Sequence, residues 1–135
     1  MDMLQSIQVS AGGMFAQSQR MKVAAQNIAN ADSVQSANGT GPYRAKQVVF
    51  ETVMNRQTGM AEVTSKVVED RTTPFSAVYN PASDMADARG FVQMPNVDST
   101  MENINMREAQ RSYEANLAAI STARDMATRT LDMLR

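Results

Sequence analysis

The sequence predicts a mainly α chain with a small β region. Long N- and C-terminal helices are expected to pack as a coiled-coil-like hairpin, joined by a short middle segment that contains a β-hairpin. Three observations carry this expectation. Apolar positions in residues 1–30 and 99–135 recur with a seven-residue rhythm. The stretch between them consists of short alternating runs broken by Gly and Pro. The length of 135 residues fits one domain. Within that one structural unit, residues 1–33 read as an N-terminal helix, 34–98 as a loop and β-rich middle, and 99–135 as a C-terminal helix.

The first helix places Leu4, Ile7, Ala11, Met14, Ser18, Met21, Ala25 and Ile28 in alternating steps of three and four, the pattern of a coiled-coil seam. Leu4, Ile7, Met14, Met21 and Ile28 are its larger members and the candidate N-terminal assembly interface. Asp2 is placed to cap the start of the helix. Gly12-Gly13 lies inside it, where each Gly costs about 1 kcal/mol relative to Ala. The pair reads either as a helix break or as a site where another backbone comes close. Asn27 to Ser33 ends the helix with residues that favour left-handed and turn conformations.

Residues 36–42 are a loop by composition. Within it, Asn38-Gly39-Thr40 fits a glycosylation acceptor pattern but reads as a turn. Residues 46–54 and 61–69 are expected strands. In the second, Ala61, Val63, Ser65 and Val67 share one face. Residues 55–59 supply the turn of a hairpin, which is marginal alone and must pack on something. Pro74 and Pro81 then divide the chain into short pieces around residues 75–79, and residues 90–95 form a last extended stretch.

Ser99 with Glu102 three residues on forms a capping-box pattern that opens the second helix. Its seam runs Met106, Gln110, Tyr113, Leu117, Ile120, Arg124, Ala127, Leu131 and Leu134. The candidate C-terminal assembly interface is Met106, Tyr113, Leu117, Ile120, Leu131 and Leu134. Ala119, Ala123, Met126 and Met133 add a second stripe, so the helix has two faces to bury. Helices of about 28 and 36 residues span about 42 and 54 Å at 1.5 Å per residue. That is more apolar helix surface than one copy can hide, which points to assembly.

Composition narrows the function. The chain carries 13 basic and 14 acidic residues, with no basic stripe or tail, so no nucleic-acid partner is expected. It has no Cys and no His, which removes thiolate nucleophiles, imidazole bases and the usual zinc ligands. Twelve Met against seven aromatics suggests adaptable packing surfaces. Asp84 and Asp87 read as a solvated turn, and Ser112-Tyr113-Glu114 has no general base beside it. No catalytic residue, cofactor or metal is expected. The N-terminus has no basic, apolar leader and no run is long enough to span a bilayer, so a transmembrane segment is not expected. From those features alone the chain would be placed in the cytoplasm.

The segment from Ala24 to Ser33, Ala-Ala-Gln-Asn-Ile-Ala-Asn-Ala-Asp-Ser, resembles the N-terminal signature of the bacterial flagellar axial proteins, the rod and hook family. Pro42-Tyr43-Arg44-Ala45-Lys46-Gln47-Val48-Val49-Phe50 and Gly90-Phe91-Val92-Gln93-Met94-Pro95-Asn96-Val97-Asp98 are similar to segments of that family's proximal rod subunits. Arg111-Ser112-Tyr113-Glu114-Ala115-Asn116 is similar to its C-terminal helix motif. The motif residues are Asn27, Asn30, Pro95, Asn96, Val97 and Asp98. The resemblance implies a structural subunit whose terminal helices pack into a helical tube, the rod that crosses the periplasm within the flagellar basal body. It implies export by the flagellar type III apparatus without a cleaved signal. It also implies partners: further copies of the chain, other rod proteins, and membrane-ring and export-gate components. The rival expectation is a soluble helical-hairpin adaptor or chaperone offering Met-rich grooves to client helices.

Overall fold

A computed structural model describes residues 3–34, 41–56, 59 and 61–133. The order of elements is α1 (Met3–Ala29), β1 (Lys46–Met54), β2 (Ala61–Glu69), β3 (Ser76–Tyr79), β4 (Phe91–Met94) and α2 (Ser99–Met133). The expected cap Asp2, the Asn38-Gly39-Thr40 pattern, Leu134 and part of the turn at residues 55–59 lie outside the described residues, as does the side chain of Leu4.

The two helices run antiparallel. Gly13 faces Asn116, Arg20 binds Glu108, and Asn27 meets Glu102, so rising numbers on α1 match falling numbers on α2. α1 is unbroken through Gly12-Gly13, which removes the helix-break reading. A Cβ built on Gly13 would lie 2.8 Å from Asn116 Nδ2. The missing side chain therefore makes room for the Asn116 side-chain amide of α2, rather than for another backbone as one expected reading had it.

The face that α1 turns to α2 contains Gly13, Ala16, Arg20, Val23 and Asn27, again in steps of three and four, with Ala24 buried beside Val23. Relative to Met14 and Met21 of the expected seam, Ala16 and Val23 are two residues on, about 200° around a helix of 3.6 residues per turn. On α2 the matching residues are Asn105, Ala109, Asn116 and Ala123. They stand one residue, about 100°, from Gln110, Leu117 and Arg124 of the expected seam. The helix pair thus closes over small and polar side chains.

α2 starts one residue earlier in its capping than the sequence pattern suggests. Asp98, not Ser99, is the N-cap: its Oδ1 accepts from Thr100 N at 2.9 Å and Met101 N at 3.2 Å. Its carbonyl accepts from Glu102 N at 2.9 Å. A carboxylate at a helix N-terminus is favoured both as an acceptor and by the helix dipole. Glu102 is then free to turn to Asn27.

β1 and β2 form a two-stranded antiparallel hairpin with Lys46 opposite Glu69 and Met54 opposite Ala61. The hairpin lies on α1, where Val63 O is 4.0 Å from a Cβ built on Gly12. Val63 and Ser65 are half-buried on that face, and Val67 stays exposed. β3 and β4 form a second antiparallel pair, with Tyr79 opposite Phe91 and their rings edge-to-face at 5.3 Å. Gly90 precedes β4 with φ of 81°, and a Cβ there would meet the Tyr79 ring at 2.9 Å. Both conditions call for glycine.

Among the described residues the buried apolar side chains are Ala16, Val23, Ala24, Ala45, Val92, Ala109 and Ala123. A core of Ala and Val contributes little transfer free energy per residue. Gly13→Leu should therefore be costly. We expect a loss of about 1–3 kcal/mol, the range for overpacking, read as a lower midpoint in urea by circular dichroism.

Candidate functional site

Two features stand out: a polar junction where the middle region meets the helices, and the apolar surface that the fold leaves open.

The junction is centred on Asn27, whose side chain is fully buried near the end of α1. Its Oδ1 accepts from Lys46 N at 3.0 Å and from Tyr43 Oη at 3.0 Å. Its Nδ2 donates to Lys46 O at 2.8 Å. The amide thus pairs with both backbone groups of Lys46, as a neighbouring strand would. Burial, then the carboxylates of Glu102 and Glu69, pushes the Tyr43 phenol up from its ordinary value, which keeps it a hydrogen-bond donor. Burial also pushes Glu102 up, opposed by the nearby Asn27 amide and the charge of Arg20; Asp98 adds to the rise. Arg20 Nη2 completes the region with Glu108 Oε2 at 2.8 Å and Asn105 Oδ1 at 3.3 Å.

Asn96 does the same work from the other side. Its Oδ1 accepts from Ala45 N at 2.8 Å, and its Nδ2 donates to Asp70 O at 3.2 Å and Thr73 O at 3.1 Å. Ala45 O accepts from Asp70 N at 2.8 Å, and Arg44 Nη1 donates to Asp70 O at 3.0 Å. The Arg44 guanidinium lies 4.3 Å above the Phe75 ring. Three segments remote in sequence are held here by two asparagine side chains.

The remaining motif residues have local tasks. Asn30 Nδ2 donates to Gln26 O at 2.8 Å, and Ser33 Oγ donates to Asn30 Oδ1 at 3.3 Å, closing the end of α1. Pro95 is buried, Val97 is half-buried, and Asp98 caps α2. Sequence pattern singled out Asn27 and Asn96 without their roles. It gave a close approach at Gly12-Gly13 as one of two readings without its partner Asn116, and it missed the Arg20–Glu108 bridge and the stacking of Arg44 on Phe75. No local signal marks such pairs, because their partners are distant in sequence.

The carboxylates are structural in geometry. Asp70 accepts from the hydroxyls of Thr72 and Thr73, both at 2.6 Å, and from their backbone amides at 2.9 and 3.2 Å. These bonds, the hydroxyls foremost, hold its carboxyl far below the usual range. Asp87 Oδ1 accepts from Phe91 N at 2.9 Å and Arg89 N at 2.8 Å, and those amides lower it too. Among the described residues no group of three or more acidic side chains could hold a metal ion. Among those residues no helix is long and apolar enough to cross a membrane.

The open apolar surface is extensive. On α1, Phe15 is 63% exposed and Val9 53%. Ile7, Met14, Met21 and Ile28 are half-buried. On α2, Leu117 is 50% exposed and Leu131 66%, while Met106, Tyr113 and Ile120 are half-buried. The hairpin leaves Val49, Phe50, Val53, Met54 and Val67 exposed. The expected seam residues therefore do not come together within one copy as a closed core.

Comparison with known proteins fits this picture. Residues 7–35 match the family model described as flagella basal body rod protein, and residues 88–133 match that of the flagellar basal body rod FlgEFG protein C-terminal region. These stretches hold the Asn27 and Asn30 end of α1 and the run from β4 through α2. The chain belongs to the flagellar basal-body rod proteins, structural subunits of the rod. Within that family its relatives are FlgC proteins. It is 43% identical to "Flagellar basal-body rod protein FlgC" of Escherichia coli O157:H7 and of Salmonella typhimurium over 135 residues, 98% of each chain. It is 41% identical to the Aquifex aeolicus protein of the same name, with 98% of this chain and 97% of that one covered. A place in the basal-body rod replaces the cytoplasmic expectation.

Two outcomes follow from the junction. Asn96→Ala leaves the buried amide of Ala45 without its acceptor, and we expect a loss of about 1–3 kcal/mol, measured by thermal or urea unfolding. The pH dependence should have two limbs of opposite sign. Asp70 and Asp87 are lowered in the folded chain, so their stabilisation is present above the unfolded value of about 3.9 and lost as pH falls through their folded values. Glu102 is raised, so its ionised form opposes folding, and that penalty is relieved as pH falls through its folded value. Melting temperature should rise slightly on mild acidification, then fall below about pH 4. Asp70→Asn should flatten the acid limb, and Glu102→Gln the other.

Proposed function

We propose that this chain is a non-catalytic subunit of the proximal rod, the part of the flagellar drive shaft that crosses the periplasm. Its terminal helices, residues 1–33 and 99–135, would build the wall of a helical tube. The middle region, residues 34–98, would lie outside that wall and meet adjacent subunits. The observation that carries the reading is the inversion of size between the inside and the outside of the helix pair. Ala, Gly and polar residues face inward, while Phe15, Leu117, Met126 and Leu131 stay open to solvent. An apolar surface of this kind on a helical subunit is what an interface needs.

The partners that fit are further copies of the chain, other rod proteins, and components of the membrane ring and export gate. The candidate contact residues are Leu4, Ile7, Met14, Met21 and Ile28 on the first helix. On the second they are Met106, Tyr113, Leu117, Ile120, Leu131 and Leu134. Passage through the flagellar type III apparatus is supported by the small core of Ala and Val, since a chain exported before folding benefits from marginal stability in isolation.

Leu117→Asp and Ile28→Asp each set a charge into a surface that assembly would desolvate. We expect each to abolish rod assembly and swimming in a complementation strain while the purified chain keeps its helical circular dichroism. Normal swimming by both variants would show that these faces are not the contacts.

A further inference from the structure

We infer that the β1–β2 hairpin joins copies of the chain edge to edge, the outer edge of β1 in one copy taking up the outer edge of β2 in the next. This contact presupposes the assembly proposed above and specifies how the middle region meets a neighbour. Strand addition needs backbone groups that point away from the sheet and have no partner. Asp70 N donates to Ala45 O, one pair before Lys46 and Glu69. Pairs in an antiparallel ladder alternate between bonded and non-bonded, so Lys46, Val48, Phe50, Thr52 and Met54 direct their N–H and C=O away from β2. The Asn27 side chain, which takes both groups of Lys46, agrees with that parity. On β2 the same alternation turns Val63, Ser65, Val67 and Glu69 outward. The hairpin meets α1 by a different edge at each end. At the base Asn27 closes the β1 edge; toward the tip Val63 O, on the β2 edge, lies beside Gly12. The β1 edge is therefore open from Phe50 to Met54, where every residue is exposed, and the β2 edge is open around Val67, also exposed. Among the described residues no hydrogen bond takes the outward groups of Phe50, Thr52, Ser65 or Val67.

The occupant is a second copy, because one register matches the two edges in charge and in kind. Within the chain Val49 lies opposite Lys66, Phe50 opposite Ser65 and Glu51 opposite Thr64. Between copies, a shift of two residues from that register still sets outward groups against outward groups. It places Val49 opposite Val68, Phe50 opposite Val67, Glu51 opposite Lys66 and Thr52 opposite Ser65. Apolar then meets apolar, hydroxyl meets hydroxyl and acid meets base, the cross-strand pairs that stabilise a sheet. Among the described residues neither Glu51 nor Lys66 forms an ion pair within the chain, so both charges are left for this contact. The two edges differ, so the contact is heterologous and passes from copy to copy rather than ending in a closed two-fold pair. A two-stranded hairpin is marginal alone, and each added copy extends the sheet.

The test reverses the two charges in the full chain, in a complementation strain. Glu51→Lys and Lys66→Glu each set like charges opposite one another at the junction, and we expect each to lose swimming. Both changes in one chain restore an opposite pair, and swimming should return. Both residues are exposed, so every variant should keep the circular dichroism of the unmodified chain. Normal swimming by both single variants would overturn the strand addition, while the assembly reading would still stand or fall on Leu117→Asp and Ile28→Asp. Loss of swimming by the double variant as well would overturn the second copy as occupant and point to a different rod protein. Hydrogen exchange gives a second reading. At concentrations where the purified chain sediments as an oligomer, the amides of Phe50, Thr52, Ser65 and Val67 should exchange roughly tenfold more slowly than in the dilute chain, the gain of one hydrogen bond each. Oligomers in which those amides stay as fast as in the monomer would also overturn the inference. Where the purified chain stays monomeric, the swimming variants decide the matter alone.

Discussion

The structure depends on one buried amide. Asn27 ends the useful length of α1 and meets the backbone of Lys46 as a strand would, so the direction in which the chain leaves the helix is set by hydrogen bonds rather than by apolar contact. Hydrogen bonds of this kind are directional and fail steeply with angle, whereas burial of a methyl group tolerates sliding. With Asn96 tying Ala45 to Asp70 and Thr73 on the far side, the middle region is held at a defined angle to the helices. Apolar packing could have attached the region with less specificity. Two amides attach it with a fixed geometry, as a part that must match neighbours requires.

The helix pair follows the same logic. Its interior is narrow, with Gly13 against Asn116 and Ala109 wholly buried, and its charged bridge at Arg20 and Glu108 has one partner largely open to solvent. A bridge so exposed adds little stability but penalises wrong registers. Among the described residues Gln17 Oε1 is buried without a hydrogen-bond partner, a cost that a pair built for maximum stability would avoid. The apolar payload that could have stabilised the single copy stands outside it. On the proposed assembly, association would gain what folding leaves unused.

How much of this was legible in the sequence depends on whether the signal is local. Beta-strands β1 and β2 were readable to the residue, because alternation and turn residues define a strand over a few positions. The start of α2 at residue 99 was legible, but its cap was misplaced by one because Asp98 and Ser99 can both cap, and only geometry chooses Asp98. The two long helices were clear, but their orientation was not. A seven-residue rhythm gives the period of a stripe. It does not say which stripe faces the partner within the chain when a helix has several neighbours. Gly13 was ambiguous for the same reason, since its use lies in Asn116, over a hundred residues away. Asn27 and Asn96 were recognisable as motif residues, yet their work is done on distant backbone and leaves no periodic trace.

The preference for methionine fits the need to meet unlike neighbours. Met85, Met101, Met126 and Met133 are all exposed, and Met54 stands at the hairpin end. An unbranched thioether fills irregular gaps and adopts several rotamers at similar energy, so it accepts neighbours of different shape better than Ile or Phe. A symmetrical homo-oligomer would gain from rigid, branched side chains at a single repeated contact. On the proposed assembly, a subunit that meets both other rod proteins and its own copies would gain from side chains that adjust. The division of labour on that reading is physical: rigid amides and a glycine contact set the shape of the copy, and pliant side chains on the outside would absorb the differences among its neighbours.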